Sequence, residues 1–188
     1  MNLYIRTADL RSGNLMVVSN VNKETVFIAV RNKENPYLIQ LFNRLNDKIA
    51  EIKLKNSLLR IFSIEIEGKE VATISTIPMI EVKYVHIGKL NWSVIGDIPF
   101  SNYRVKCNHE IIMEVAPLIL GLGQPGIQLA FKNIEDTRAG TLIAIFLNKY
   151  VKMPGKPMDE SFSNFHSKNK LSYLNFKDKF HFPKCGPY

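Results

Sequence analysis

In the stretch AGTLIAIFLNKYV every residue from Leu142 to Leu147 is apolar, and the first charge after Ala139 is Lys149. A segment with no polar side has no face to offer water, so it is enclosed by protein or lies in a membrane. Two shapes suit these residues. Glu135 and Asp136 before the run, with Lys149 and Lys152 after it, match a helix dipole, and Asp136 is a candidate N-cap. Gly140 and the β-branched Thr141, Ile143 and Ile145 would equally suit a buried strand. About 16 residues without a turn signal is long for a strand and ordinary for a helix. Length therefore favours a helix over Asp136–Val151. A bilayer crossing needs roughly 20 apolar residues, and no stretch of the chain approaches that. The helix is expected inside protein.

What encloses it is written upstream. Between Met1 and about residue 132 the chain alternates short apolar-rich runs with turn chemistry such as RSGN, NVNKE, RNKENP, RLNDK, EGKE and CNHE. Strands are expected near Asn2–Arg6, Asn14–Ser19, Thr25–Arg31, Pro36–Leu41, Lys48–Lys55 and Arg60–Ile66. Six more are expected near Lys69–Thr76, Glu81–Ile87, Asn91–Ile95, Asn102–Cys107, Glu110–Ala116 and Gly126–Lys132. In RIFSIEIEG, Phe62, Ile64 and Ile66 face one way and Ile61, Ser63 and Glu65 the other. Strands spaced every 8–12 residues or so indicate an antiparallel meander that closes as a sandwich or barrel. The expectation is an all-β fold of about twelve antiparallel strands, a β-barrel enclosing a hydrophobic helix near its C-terminal end.

Several strings match this architecture to a family. LYIR (Leu3–Arg6), IEIEGKEVATI (Ile64–Ile74), LNWSVIGDI (Leu90–Ile98), YRVK (Tyr103–Lys106) and TLIAIFLN follow in order over residues 1–152. Together they resemble the tubby C-terminal-like domains, in their LURP-one-related branch. The resemblance implies a twelve-stranded barrel around a central hydrophobic helix. It also implies a binding role: tubby proteins hold phosphoinositide headgroups on a basic pair along a strand, with further lysines and arginines. Related scramblase-like proteins associate with membranes. The resemblance supplies a type of site rather than residue identities. It gives a barrel domain over residues 1–152 and leaves 153–188 outside.

That tail begins with the helix-stopping Pro154, Gly155 and Pro157. Beyond them Phe162, Phe165, Tyr173, Phe176, Phe180 and Phe182 are interspersed with Lys168, Lys170, Lys177, Lys179 and Lys184. Two expectations fit this composition. The rings pack back over an open end of the barrel, or rings and lysines together contact an anionic surface.

The chain of 188 residues is long enough for one domain with a real core, and its 46% apolar and 22% charged content is ordinary for a globular protein. The net charge of +8 is less ordinary. It serves solubility or favours anionic partners. Two cysteines, Cys107 and Cys185, make no secreted disulfide framework. The opening MNLYIRTADLRSGN has no basic segment followed by an apolar one, so no secretory leader is expected. A cytoplasmic setting with free thiols follows, with the protein peripheral at the inner membrane surface where the binding role is exercised.

Candidate motifs for catalysis and cofactor binding fail on their sequence context. GLGQPG (Gly121–Gly126) has the spacing of a dinucleotide loop, but Pro125 interrupts it and a strand follows where a helix should hold the pyrophosphate. Cys107 and His109 with His181 and Cys185 make a poor zinc set, because Cys-x-His is awkward spacing for two ligands of one hairpin. Cys107 has only His109 as a neighbouring base, and nothing orients that histidine. Asp97, beside Gly96 and before Pro99, reads as a turn residue, and Trp92 as barrel packing. The sequence thus predicts no enzyme, no cofactor and no metal.

Basic pairs remain. Lys53 with Lys55, and Arg104 with Lys106, stand two apart on strands, so each pair projects from one face about 7 Å apart. Such a pair suits a phosphate-bearing headgroup; the plainer alternative is a solvated strand face, and Glu51 weakens the first pair. The expected function is a non-catalytic module engaging anionic lipid headgroups, phosphoinositide-like or acidic phospholipid. The alternative is an adaptor binding a protein or nucleic-acid partner through its basic surface. Nucleic acid ranks lower, since the cations are scattered and often stand beside acids.

Overall fold

Alternating apolar residues become alternating buried ones along twelve strands. They are β1 (Asn2–Arg6), β2 (Leu15–Ser19), β3 (Thr25–Arg31), β4 (Ile39–Phe42), β5 (Lys48–Asn56) and β6 (Ile61–Ile66). The series continues with β7 (Lys69–Ser75), β8 (Tyr84–Gly88), β9 (Trp92–Asp97), β10 (Asn102–Cys107), β11 (Glu110–Ile119) and β12 (Pro125–Phe131). The computed structural model describes residues 1–75 and 84–150. Each strand pairs antiparallel with the next, and β1 pairs with β12 from Asn2 opposite Ala130 to Arg6 opposite Gly126. That last ladder closes the barrel and removes the sheet edges. Two-residue hairpins join β6 to β7 and β10 to β11. Glu67 and Gly68, with φ of 51° and 78°, turn β6 into β7 with the left-handed pair that suits a two-residue loop.

The apolar run forms α2 (Thr137–Tyr150), and it fills the barrel. Ala139 and every residue from Leu142 to Leu147 have no exposed surface. Phe146 meets the ring of Phe62 edge-on at 4.6 Å between centroids, an arrangement favoured by the ring quadrupoles. Gly140 lets the helix approach the wall, since a Cβ there would lie 3.0 Å from Met113 Sδ and closer still to Phe131. Asp136 precedes the helix, but its carboxylate accepts from Asn133 Nδ2 at 3.1 Å. It caps by position, with its main-chain carbonyl accepting from Gly140 N–H at 2.9 Å.

Differences from expectation are local. The turn expected after Arg6 is a short helix, α1 (Thr7–Ser12), seated by the buried Leu10. β4 begins at Ile39 rather than Pro36, because Asn32 and Asn35 side chains hold the amides of Glu34, Asn35 and Tyr37 in a turn. β11 runs on to Ile119, beyond the expected Ala116. The tail from Met153 to Tyr188, with Lys168, Lys170, Lys177 and Lys179, lies outside the described residues.

Because the strands run up and down, alternate connections share an end. Residues 20–24, 43–47, 67–68, 89–91, 108–109 and 132–136 surround the end where α2 enters. α1 and residues 32–38, 57–60 and 98–101 surround the end where it leaves. Two contacts tie α2 to this exit end: Ser101 Oγ donates to Asn148 Oδ1 at 2.6 Å, and Lys149 Nζ donates to the Gly13 carbonyl at 2.7 Å.

Candidate functional site

The basic pairs singled out in the sequence stand on the barrel wall and do not converge. Lys53 and Lys55 lie on β5, Arg104 and Lys106 on β10, with four strands between them. Most are held by acids of their own or neighbouring strands. Lys53 contacts Glu51 at 3.2 Å and Glu65 at 2.9 Å, and Lys55 contacts Glu70 at 2.7 Å. Arg104 faces Glu114 across the ladder at 2.9 Å. These lysines share a face as expected, but antiparallel pairing sets carboxylates among them. A shallow hollow of about 20 Å³ beside Lys48, Glu51, Glu65 and Glu67 has room for one water and not for a headgroup.

This wall network has a pH signature. Burial pushes Glu51 up, but hydrogen bonds from Lys48, Lys53 and Gln40 outweigh it and leave the carboxyl below its ordinary 4.5. Hydrogen bonds from Lys55 and Lys89 lower Glu70 as well. A carboxyl whose folded pKa lies below the unfolded one adds stability that is complete above the unfolded value. It is lost as pH falls from about 4.5 through the depressed values. Asp136 opposes this, since burial raises it and protonation relieves that cost on acidification. Exposed pairs contribute about 0.2–1 kcal/mol each. Acidification from pH 6 to pH 3.5 is therefore expected to lower the melting temperature by several degrees, and Glu51→Gln to flatten the profile. Calorimetry across that range checks it.

The exit end is different in character. Leu58, Leu59 and Phe100 stand 67%, 61% and 73% exposed on its connections, with Tyr37 and Leu15 exposed close by. Beside them lies Lys149, only 5% exposed and the one buried cation among the described residues. Its ammonium donates to Gly13 O, the carbonyl that ends α1. Arg31, last residue of β3, donates its Nε–H to Pro36 O at 3.2 Å and its backbone N–H to Asn14 O at 2.7 Å. The Lys149 ammonium and the Arg31 main chain therefore flank the Gly13–Asn14 dipeptide. Among the described residues neither side chain forms an ion pair. Burial first, and then the charge of Arg31, hold the Lys149 pKa below that of a free lysine. Lys33 and Arg60 sit on connections at the same end.

Among the other candidates, Asp97 and Trp92 keep the roles the sequence implied, and one residue does not. Gly121–Gly123 form a short 3-10 turn that leads into β12, so no helix N-terminus faces the glycines. Asp97 accepts from the Phe100 amide at 3.4 Å, and Trp92 is buried in the wall. Among the described residues no cluster of His, Cys, Asp or Glu is placed to hold a metal ion; His181 and Cys185 lie outside them. Cys107 is the exception. It is disulfide-bonded rather than a free thiol, so it offers no nucleophile and no longer indicates a reducing compartment. Among the described residues no helix is long and apolar enough to cross a membrane.

Sequence reasoning passed over the exit end. Its signal was apolar side chains in turns, at NSLLR and DIPFSN, where polar residues are the rule. Lys149 was visible only as a helix-terminal base. Comparison with protein-family models, with curated proteins and with solved structures finds no match to this chain.

Proposed function

We propose that the chain is a non-catalytic binding module of the tubby-like, LURP-one-related kind, engaging anionic phospholipid headgroups at a membrane surface. The exit end of the barrel is the contact face. The observation that carries this reading is the exposure of Leu58, Leu59 and Phe100 at one end beside Arg31 and Lys149, which lack carboxylate partners among the described residues. Exposed apolar side chains enter the boundary between headgroups and acyl chains, and cations meet the negative surface potential. The overall charge of +8 acts in the same direction. The family assignment is supported by the twelve-stranded barrel filled by its last helix, and an anionic leaflet is the surface that fits.

Co-sedimentation tests it. The protein is expected to bind vesicles of phosphatidylcholine with phosphatidylserine and to leave pure phosphatidylcholine largely free. The triple substitution Leu58→Asp, Leu59→Asp, Phe100→Asp should weaken that binding at least tenfold, and the melting temperature should barely move because all three side chains are exposed. Equal binding by the triple variant would exclude the exit end. Shifting of nucleic acid in a gel, without vesicle binding, would favour the adaptor reading.

A further inference from the structure

The two ends of the barrel are joined by chemistry that neither the wall nor the exit face uses. Cys107 is the last residue of β10, buried at the entry end beside the connections 89–91 and 108–109. Its sulfur is in a disulfide, and the chain has two cysteines, so the partner is Cys185. The chain follows α2 out of the barrel at Tyr150, at the opposite end. Thirty-five positions separate Tyr150 from Cys185, a reach of up to roughly 115 Å, so the return to the entry rim is easily made. The last part of the tail has no such freedom. Phe182 and Lys184 stand three and one positions before Cys185, which keeps both within roughly 17 Å of Cys107. Phe100 lies beyond the far end of the same strand, seven positions from Cys107 and roughly 20 Å away. Leu58 and Leu59 are farther round the barrel, between β5 and β6.

We propose that the Cys107–Cys185 disulfide is a thiol-controlled tether that holds the end of the basic, aromatic tail at the entry rim and, once reduced, releases it to the exit face. The reductant is a dithiol, small or protein-borne. One of its thiolates attacks a sulfur of the bond and expels the other cysteine; its second thiol then closes on the mixed disulfide and expels the first. Two electrons and two protons pass to Cys107 and Cys185, and the reductant ends as a disulfide. The barrel accommodates both states. Leu90 O stands 3.8 Å from Cys107 Sγ, an acceptor for the S–H that reduction creates, and a thiol otherwise behaves as a small apolar side chain. Once free, Lys177, Lys179, Phe182 and Lys184 can reach the exit face, because the tail starts there. Lysines interleaved with rings suit an anionic interface, and attachment at the contact face makes their binding intramolecular. The effect on membrane contact rests on the reading above; the tether does not.

The test uses the full chain, oxidised with glutathione disulfide or reduced with dithiothreitol, beside Cys185→Ser, which changes no residue of the barrel. A non-reduced digest of the oxidised monomer should yield the Cys107 and Cys185 peptides joined. Trp92, the chain's one tryptophan, stands opposite Cys107 in the ladder, and a neighbouring disulfide quenches indole emission. Its fluorescence should therefore rise on reduction of the wild type and stay constant in Cys185→Ser. The hydrodynamic radius should grow on reduction, and Cys185→Ser should already show the larger value. On vesicles of phosphatidylcholine with phosphatidylserine, the reduced wild type and Cys185→Ser should bind about fivefold more tightly than the oxidised protein, for one lysine returned to the surface. Where Cys185→Ser does not fold, reduction of the wild type carries the comparison. Two free thiols after oxidation, or a bond between two copies of the chain, overturn the tether. An unchanged radius overturns it as well. Equal vesicle binding in the two states overturns its control of membrane contact. A joined pair and a growing radius with no vesicle binding in either state leave the tether standing and remove the membrane reading instead.

Discussion

Ile143→Asp is expected to yield no folded protein. Ile143 lies at the middle of α2 with no exposed surface, and so do the residues on either side of it. A carboxylate there has no route to water, because the whole turn is enclosed by the barrel wall. Burying an unpaired ionised group costs so much that it protonates instead, and the neutral acid still loses several kcal/mol without a partner. That is a large part of the 5–15 kcal/mol or so by which a domain of this kind is stable. Ile143→Val, which removes one methylene, should cost only about 0.5–1.5 kcal/mol and provides the control for handling. Circular dichroism and size exclusion read the outcome. A soluble, monomeric Ile143→Asp protein with a cooperative melt would mean that the helix does not occupy the barrel.

The helix was legible because its side chains have one environment only. A run such as LIAIFL leaves no choice between faces, so enclosure follows from composition and the length of the run separates helix from strand. The wall was legible for a different reason. In β6, Phe62 and Ile64 alternate with Ile61 and Glu65 as period two requires, although Ser63 is buried as well. α1 was missed because TADLRS contains a single core contact, Leu10, and six residues are too few to show a helical period.

The candidate site was less legible, and the cause is register. That Lys53 and Lys55 share a face follows from spacing alone, whereas the approach of Glu65 and Glu70 depends on how β5, β6 and β7 are aligned. Likewise, Arg31 and Lys149 are 118 positions apart; they reach one end of the barrel only because β3 pairs with β2 and α2 leaves the barrel beside α1. Spacing reports faces within an element. It says nothing about which elements share an end.

The second large effect is expected at Gly96, within the WSVIGD strand β9. Its φ of +135° is a backbone conformation that side-chain-bearing residues rarely adopt, and a Cβ would lie 2.7 Å from Asn102 O and 2.8 Å from Tyr103 Cα. Neither neighbour can swing aside, because both are main-chain atoms of the paired strand, where Gly96 stands opposite Tyr103. Gly96→Val therefore combines strain, about 1–3 kcal/mol, with overpacking, about 1–3 kcal/mol. For a domain of this size each kcal/mol moves the melting temperature by roughly 2–4 °C, so a fall of roughly 5–20 °C is expected. The displaced turn has a second consequence. Phe100 is held by Asp97, and Ser101 is bonded to Asn148 of α2, so movement at Gly96 shifts both the exposed ring and the seat of the helix end. Vesicle binding by Gly96→Val, measured well below its melting temperature, should consequently be weaker than that of a variant equally destabilised at the entry end, such as Phe131→Leu. Equal binding by the two would show that the β9–β10 turn takes no part in presenting the contact face.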